Sequence, residues 1–146
     1  MIGPTDLAPL VDDAVRHLLG DNPAEAAAVL DVIAAQGDAA DWYGVCCAAA
    51  EIGYTALLVL HPEGGEATHQ WAVLGTSGDP HALFASRFQA AYANGDIPLT
   101  VALFQAADTA GPRARIESVC ALFAHVRALH ARAAEPATSS PGGTRS

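Results

Sequence analysis

The stretch Asp38–Leu60, DAADWYGVCCAAAEIGYTALLVL, decides how the rest of the chain must fold. It is predominantly apolar, it carries Trp42, Cys46 and Cys47, and Glu51 is its only charge after Asp41. As a helix of about 22 residues it would run roughly 33 Å, enough to cross a small domain. A helix apolar on nearly every side needs neighbours around it, so the stretch reads as the central helix of an all-α bundle. Asp38 is a good N-cap, and Asp41 falls in the first turn, where negative charge suits the helix dipole.

Gly53 leaves two readings of where this helix ends. It could stop there, leaving Thr55–Leu60 and His69–Leu74 as a short β-hairpin or irregular loop within residues 55–76. Otherwise the helix absorbs one glycine at about 1 kcal/mol and runs on to Leu60, where Pro62 stops it. Thr55 and Val59 are the only β-branched residues of the segment, which favours the helix. A membrane span is the other use for such a stretch. Val45–Leu60 is about 16 residues and is interrupted by Glu51 and Gly53, short of the ~20 that a spanning helix needs. A core helix is the better reading.

Around it the chain has the means to build a core. At 146 residues it fits one domain, able to bury on the order of 70% of its unfolded surface. The formal charge is −9, and the seven basic residues are all arginine. That balance repels phosphates and anionic lipid, so neither nucleic acid nor membrane is an expected partner. MIGPTDLAPLVDD has no basic region ahead of an apolar one, so no secretory leader is expected. Three cysteines without a framework of spacings fit a reducing cytoplasm. Alanine and arginine without lysine match a GC-rich coding bias, and hence a bacterium.

Upstream, Leu7, Leu10, Val11, Ala14 and Leu18 recur at helical spacing and predict a helix over Asp6–Leu19. Asn22-Pro23-Ala24-Glu25 then opens a second helix, with Ala26, Val29, Leu30 and Ile33 on one face and Gly37 at its end. Downstream, His61–Gly78 is long and rich in glycine, proline and charge, with Trp71, Val73 and Leu74 available to pin it to the core. Asp79-Pro80 opens the next helix, whose apolar side is Leu83, Phe84, Phe88, Ala91 and Tyr92, with Arg87 at the edge. Asn94-Gly95 ends it. Asp96 caps a helix in which Leu99, Val101, Leu103 and Phe104 are apolar nearly all round, implying burial on more than one side. After Gly111-Pro112, Ile116, Val119, Cys120, Phe123, Val126 and Leu129 form the most regular stripe of all. Laying Asp21 on Asp79 and Gly37-Asp38 on Gly95-Asp96 also brings Gly53 onto Gly111. That punctuation would suit a duplicated helical hairpin, or simply any two hairpins.

The chemistry is sparse. His61, Glu63, Glu66 and His69 in a glycine-rich loop, with His81 beyond it, could converge on a divalent metal or a small molecule. The loop lacks the P-C-x-x-C of zinc deaminases and any H-E-x-x-H. Cys46-Cys47 lie inside a helix, about 100° apart, and read as core fillers. Ser77, Ser86 and Ser118 have no nucleophile elbow. His125, Arg127, His130 and Arg132 give the last helix a basic end that suits its dipole.

The expectation is an all-α domain over residues 1–134, six helices arranged as stacked hairpins, with a disordered tail at 135–146. It would act as a non-catalytic protein-interaction module of a bacterial cytoplasm, homodimeric in one form, with no cofactor. Trp71, Leu83, Phe84, Phe88 and Tyr92 are the expected partner-facing residues. The alternative is a small-molecule or metal-binding protein, hydrolase-like, using His61, Glu63, Glu66, His69 and His81.

Overall fold

The computed structural model describes residues 9, 13, 16–17, 23–66, 70–72 and 78–135. Its helices are α1 (Pro23–Gln36), α2 (Ala39–Leu60), α3 (Pro80–Ala93), α4 (Ile97–Thr109) and α5 (Pro112–Ala133), with a 3-10 turn at Pro62–Gly65. The protein is all-α, and no strand occurs among the described residues. Of the helix expected over residues 6–19, positions 9, 13, 16 and 17 are helical; its other positions, Val73, Leu74 and the tail beyond Glu135 lie outside the described residues.

The boundaries follow local chemistry. Asp38 and Asp41 form a reciprocal capping box at the start of α2, each side chain accepting from the other's backbone N–H at 2.9 Å. Asp79 caps α3 through the His81 N–H, and Asp96 caps α4 through the Leu99 N–H. Gly95 (φ 72°) and Gly111 (φ 114°) take the left-handed backbone that ends α3 and precedes α5.

α2 runs unbroken through Gly53 to Leu60, so Thr55–Leu60 is helix and not one arm of a hairpin. Gly53 is there for contact. A methyl at its Cα would lie 2.8 Å from Gln89 Cδ and 3.2 Å from Val126 Cγ2, closer than packed atoms stand. Gln89 is itself buried, and its Nε2 donates to the Ala50 carbonyl at 3.0 Å. Gly53 and Gly111 therefore do different work, one inside a helix and one before a helix. At this pair the shared punctuation is not a shared geometry, whereas Asp38 and Asp96 both cap the helix that follows them.

The expectation that α2 is covered nearly all round needs correcting. Its buried residues are Trp42, Val45, Cys46, Ala49, Ala50, Gly53 and Ala56, a single stripe, while Val59 is 60% exposed. By length and composition α2 could cross a membrane, and it is the one such helix among the described residues. In the fold its stripe lies against α5 and α3. Small residues along the stripe let both helices approach closely. α5 shares the organising role, packing along both α2 and α3 through Val119, Leu122, Phe123, Val126 and Leu129.

α4 also differs from expectation. Only Thr100 and Phe104 are buried, and Leu99 is 44% exposed. Its apolar residues outnumber its neighbours, because α4 rests on α3 and α5, touches α2 only lightly, and leaves one side open. Thr100 fixes its register: its hydroxyl donates to the Ile97 carbonyl at 2.7 Å and accepts from Tyr43 Oη of α2 at 2.8 Å.

Candidate functional site

The open side of α4 and the adjoining face of α3 form a groove. On α3 the lining residues Leu83, Arg87, Ala90 and Asn94 recur at i, i+4, i+7 and i+11, one face of a helix. On α4 the residues Leu99, Leu103, Ala106 and Ala110 recur with the same spacing. The two helices are joined by the short Asn94–Asp96 turn and pack on each other, so the two stripes lie side by side. The groove has two lobes, of about 280 Å³ and 340 Å³, that meet at Arg87 and Leu103. Along α3 its length from Leu83 to Asn94 is about 17 Å.

Trp71 closes one end. The Asn94 amide holds its backbone on both sides, Oδ1 accepting from the Trp71 N–H at 2.6 Å and Nδ2 donating to its carbonyl at 2.9 Å. The indole packs on Gly64, where a side chain would collide with the ring, and stands edge-on to Tyr54 (6.5 Å) and His61 (6.0 Å). Arg87 lies in the middle of the groove, exposed and outside any ion pair among the described residues. Asp96 lies in the same lobe, likewise exposed and without an ion pair there.

Of the expected partner-facing residues, Trp71, Leu83 and Phe84 line the groove. Phe88 is fully buried, stacked against Phe84 (5.5 Å) and edge-on to Tyr43 (6.3 Å), and belongs to the core. Phe84 is itself 92% buried and forms floor rather than rim. Tyr92 turns to α2, its hydroxyl donating to Glu51 Oε1 at 2.7 Å; burial and that carboxylate push the phenol's pKa up. Periodicity placed Leu83, Phe84, Phe88 and Tyr92 on one helix side, but the core and the groove divide that side between them. Arg87, Leu99, Leu103 and Asn94 complete the groove. Their matched i, i+4, i+7 spacing on two successive helices was the available signal.

The histidine residues separate. His61 Nδ1 is 3.8 Å from Glu63 Oε2, both exposed on the 3-10 turn, with Glu66 exposed beside them; His69 lies outside the described residues. His81 sits at the start of α3 between two residues of α5, its Nδ1 3.1 Å from Ser118 Oγ and its Nε2 3.4 Å from Glu117 Oε1. Among the described residues no three His, Cys, Asp or Glu side chains converge as metal ligands would. The Ser118–His81–Glu117 contact has the composition of a nucleophile, base and orienting acid. Ser118, however, lies in the interior of α5, where backbone N–H groups are committed to carbonyls one turn back rather than aimed at an oxyanion. It clamps α3 to α5 at the far end of the groove.

The cysteines are not poised for thiol chemistry. Burial pushes the Cys46 and Cys47 thiols up, and burial together with Glu117 raises Cys120. A second cleft of about 440 Å³ lies between the C-terminal ends of α2 and α5, lined by Ile52, Val59, His130 and small residues. Its Thr55 hydroxyl is spent on the Glu51 carbonyl, so it offers fewer anchors.

No protein-family model, curated protein or solved structure matches this chain. What the fold and site define is a class: an all-α protein with an apolar groove between two antiparallel helices.

Proposed function

We propose that the protein is a non-catalytic helical interaction module that receives a partner's amphipathic helix in the α3–α4 groove. One observation carries the reading: an α4 stripe apolar throughout (Leu99, Leu103, Ala106, Ala110) runs for about three turns beside an α3 stripe of the same spacing in which Leu83 and Ala90 alternate with Asn94 and an uncommitted Arg87 at mid-length. A groove of that form takes a helix presenting apolar residues at i, i+3, i+4 and i+7. Its floor of alanines allows close approach, and Trp71, Leu99 and Leu103 supply the large apolar contacts that dominate such interfaces. The stacked-hairpin arrangement of six helices belongs to this proposal, α3–α4 being the hairpin that presents the groove. So does residence in a bacterial cytoplasm, whose reducing side fits free cysteines.

The test places a photoreactive phenylalanine derivative at Leu103 in the full chain, and at Val59 as control, and irradiates each in an extract of cells that make the protein. The reading expects a discrete intermolecular adduct from position 103 that position 59 does not form. No intermolecular adduct from 103, or equal adducts from both, overturns it.

A further inference from the structure

We infer that the occupant of the α3–α4 groove is a second copy of this chain, docked about a two-fold axis; this rests on the groove reading above. The groove carries one cation and one anion, Arg87 and Asp96, and neither has an ion partner among the described residues. In a two-fold interface residue i of one copy meets residue j of the other, and j meets i. An uncommitted cation and anion in one apolar strip satisfy that rule with no further charges, Arg87 of each copy meeting Asp96 of the other. An unrelated partner would have to bring a carboxylate and a cation in matching register.

The apolar surface points the same way. Ile97 is 50% exposed and Leu99 44% exposed, directly after Asp96 at the start of α4. Docking that brings Asp96 to the other copy's Arg87 carries Leu99, which lines the groove, into the other groove; Ile97, two residues earlier, lies on the opposite side of the helix and stays outside it. One carboxylate oxygen of Asp96 already accepts from the Leu99 N–H at 3.2 Å, which holds the side chain in place and leaves the second oxygen for a partner. Such charges set register and specificity, while the apolar surface around them supplies most of the attraction. The −9 charge on each copy opposes association, so the dimer is concentration-dependent rather than permanent.

Sedimentation velocity on the full chain tests this, with circular dichroism as the check on folding. The wild type is expected to shift from one chain to two as concentration rises. Arg87→Glu and Asp96→Arg, each alone, place like charges at both contacts and should weaken dimerisation by roughly tenfold or more. An equimolar mixture of the two variants restores opposite charges at both contacts and should recover wild-type affinity as a heterodimer. Asp96→Arg also removes a helix cap; if it fails to fold, Asp96→Asn replaces it, and mixing must then strengthen association over Arg87→Glu alone. A wild type that stays monomeric, or a mixture no tighter than its components, overturns the inference. An adduct from position 103 to a different protein, with the chain itself monomeric, leaves the groove reading standing and removes only this one.

Discussion

Gly53 stands in the middle of α2, where helix propensity alone says alanine would be better by about 1 kcal/mol. The Gln89 amide occupies the space a Cβ would need, so Gly53→Ala is expected to destabilise by about 1–3 kcal/mol through overpacking. Urea unfolding measures this, and a gain in stability would contradict the contact. His125 gives a pH prediction. Burial lowers its pKa below the ordinary value of 6.5, so the fold favours the neutral ring. A depressed folded-state pKa contributes stability that is present above the unfolded value and lost as pH falls through the folded one. The melting temperature should therefore fall as pH drops below about 6.5, and fall less for His125→Gln. Asp79 and His125 line one surface pocket, but burial is the one cause of the His125 shift, so Asp79→Asn is expected to leave that slope in place. Thiol labelling adds a check at the same scale: Cys120, exposed, should react with a thiol reagent in the native state. Cys46, fully buried, should react only on unfolding.

At the scale of elements, caps and stops were the legible part. Asp38, Asp79-Pro80, Asp96 and Gly111-Pro112 each mark a helix start in the sequence, and each does so in the fold, because capping depends on residues within one turn. Contacts between elements were not legible. The purpose of Gly53 depends on Gln89, on another helix. The exposure of α4 depends on how many helices reach it, which its own apolar pattern cannot state. The groove was half legible: Trp71, Leu83 and Phe84 were identified, whereas Phe88 and Tyr92 share their helix side but face the core and α2. The segment before α3 is held by Asn94, which grips the Trp71 backbone through two hydrogen bonds. Asn94→Ala should loosen it at a cost of about 1–3 kcal/mol. Tryptophan fluorescence should shift to the red and become more accessible to acrylamide. An unchanged spectrum would show that the ring contacts with Gly64, Tyr54 and His61 suffice.

For the whole molecule, the arrangement is a core built mainly by α2, α3 and α5, joined by Ile33 of α1, with α4 laid on its edge so that one inter-helix face stays open. The absence of a matching family leaves that face to be judged on its chemistry: apolar floor, one arginine, one aspartate, and large residues at the rim. The account stands or falls on whether this face meets another protein surface, in the first instance its own. Hydrogen–deuterium exchange on the purified chain, at low and at high micromolar concentration, asks this directly. The account predicts that exchange slows with concentration along α3 and α4 while α2 and the C-terminal half of α5 are unchanged. Exchange in α3 and α4 that is indifferent to concentration, or protection appearing instead in the cleft around Val59 and His130, would contradict it.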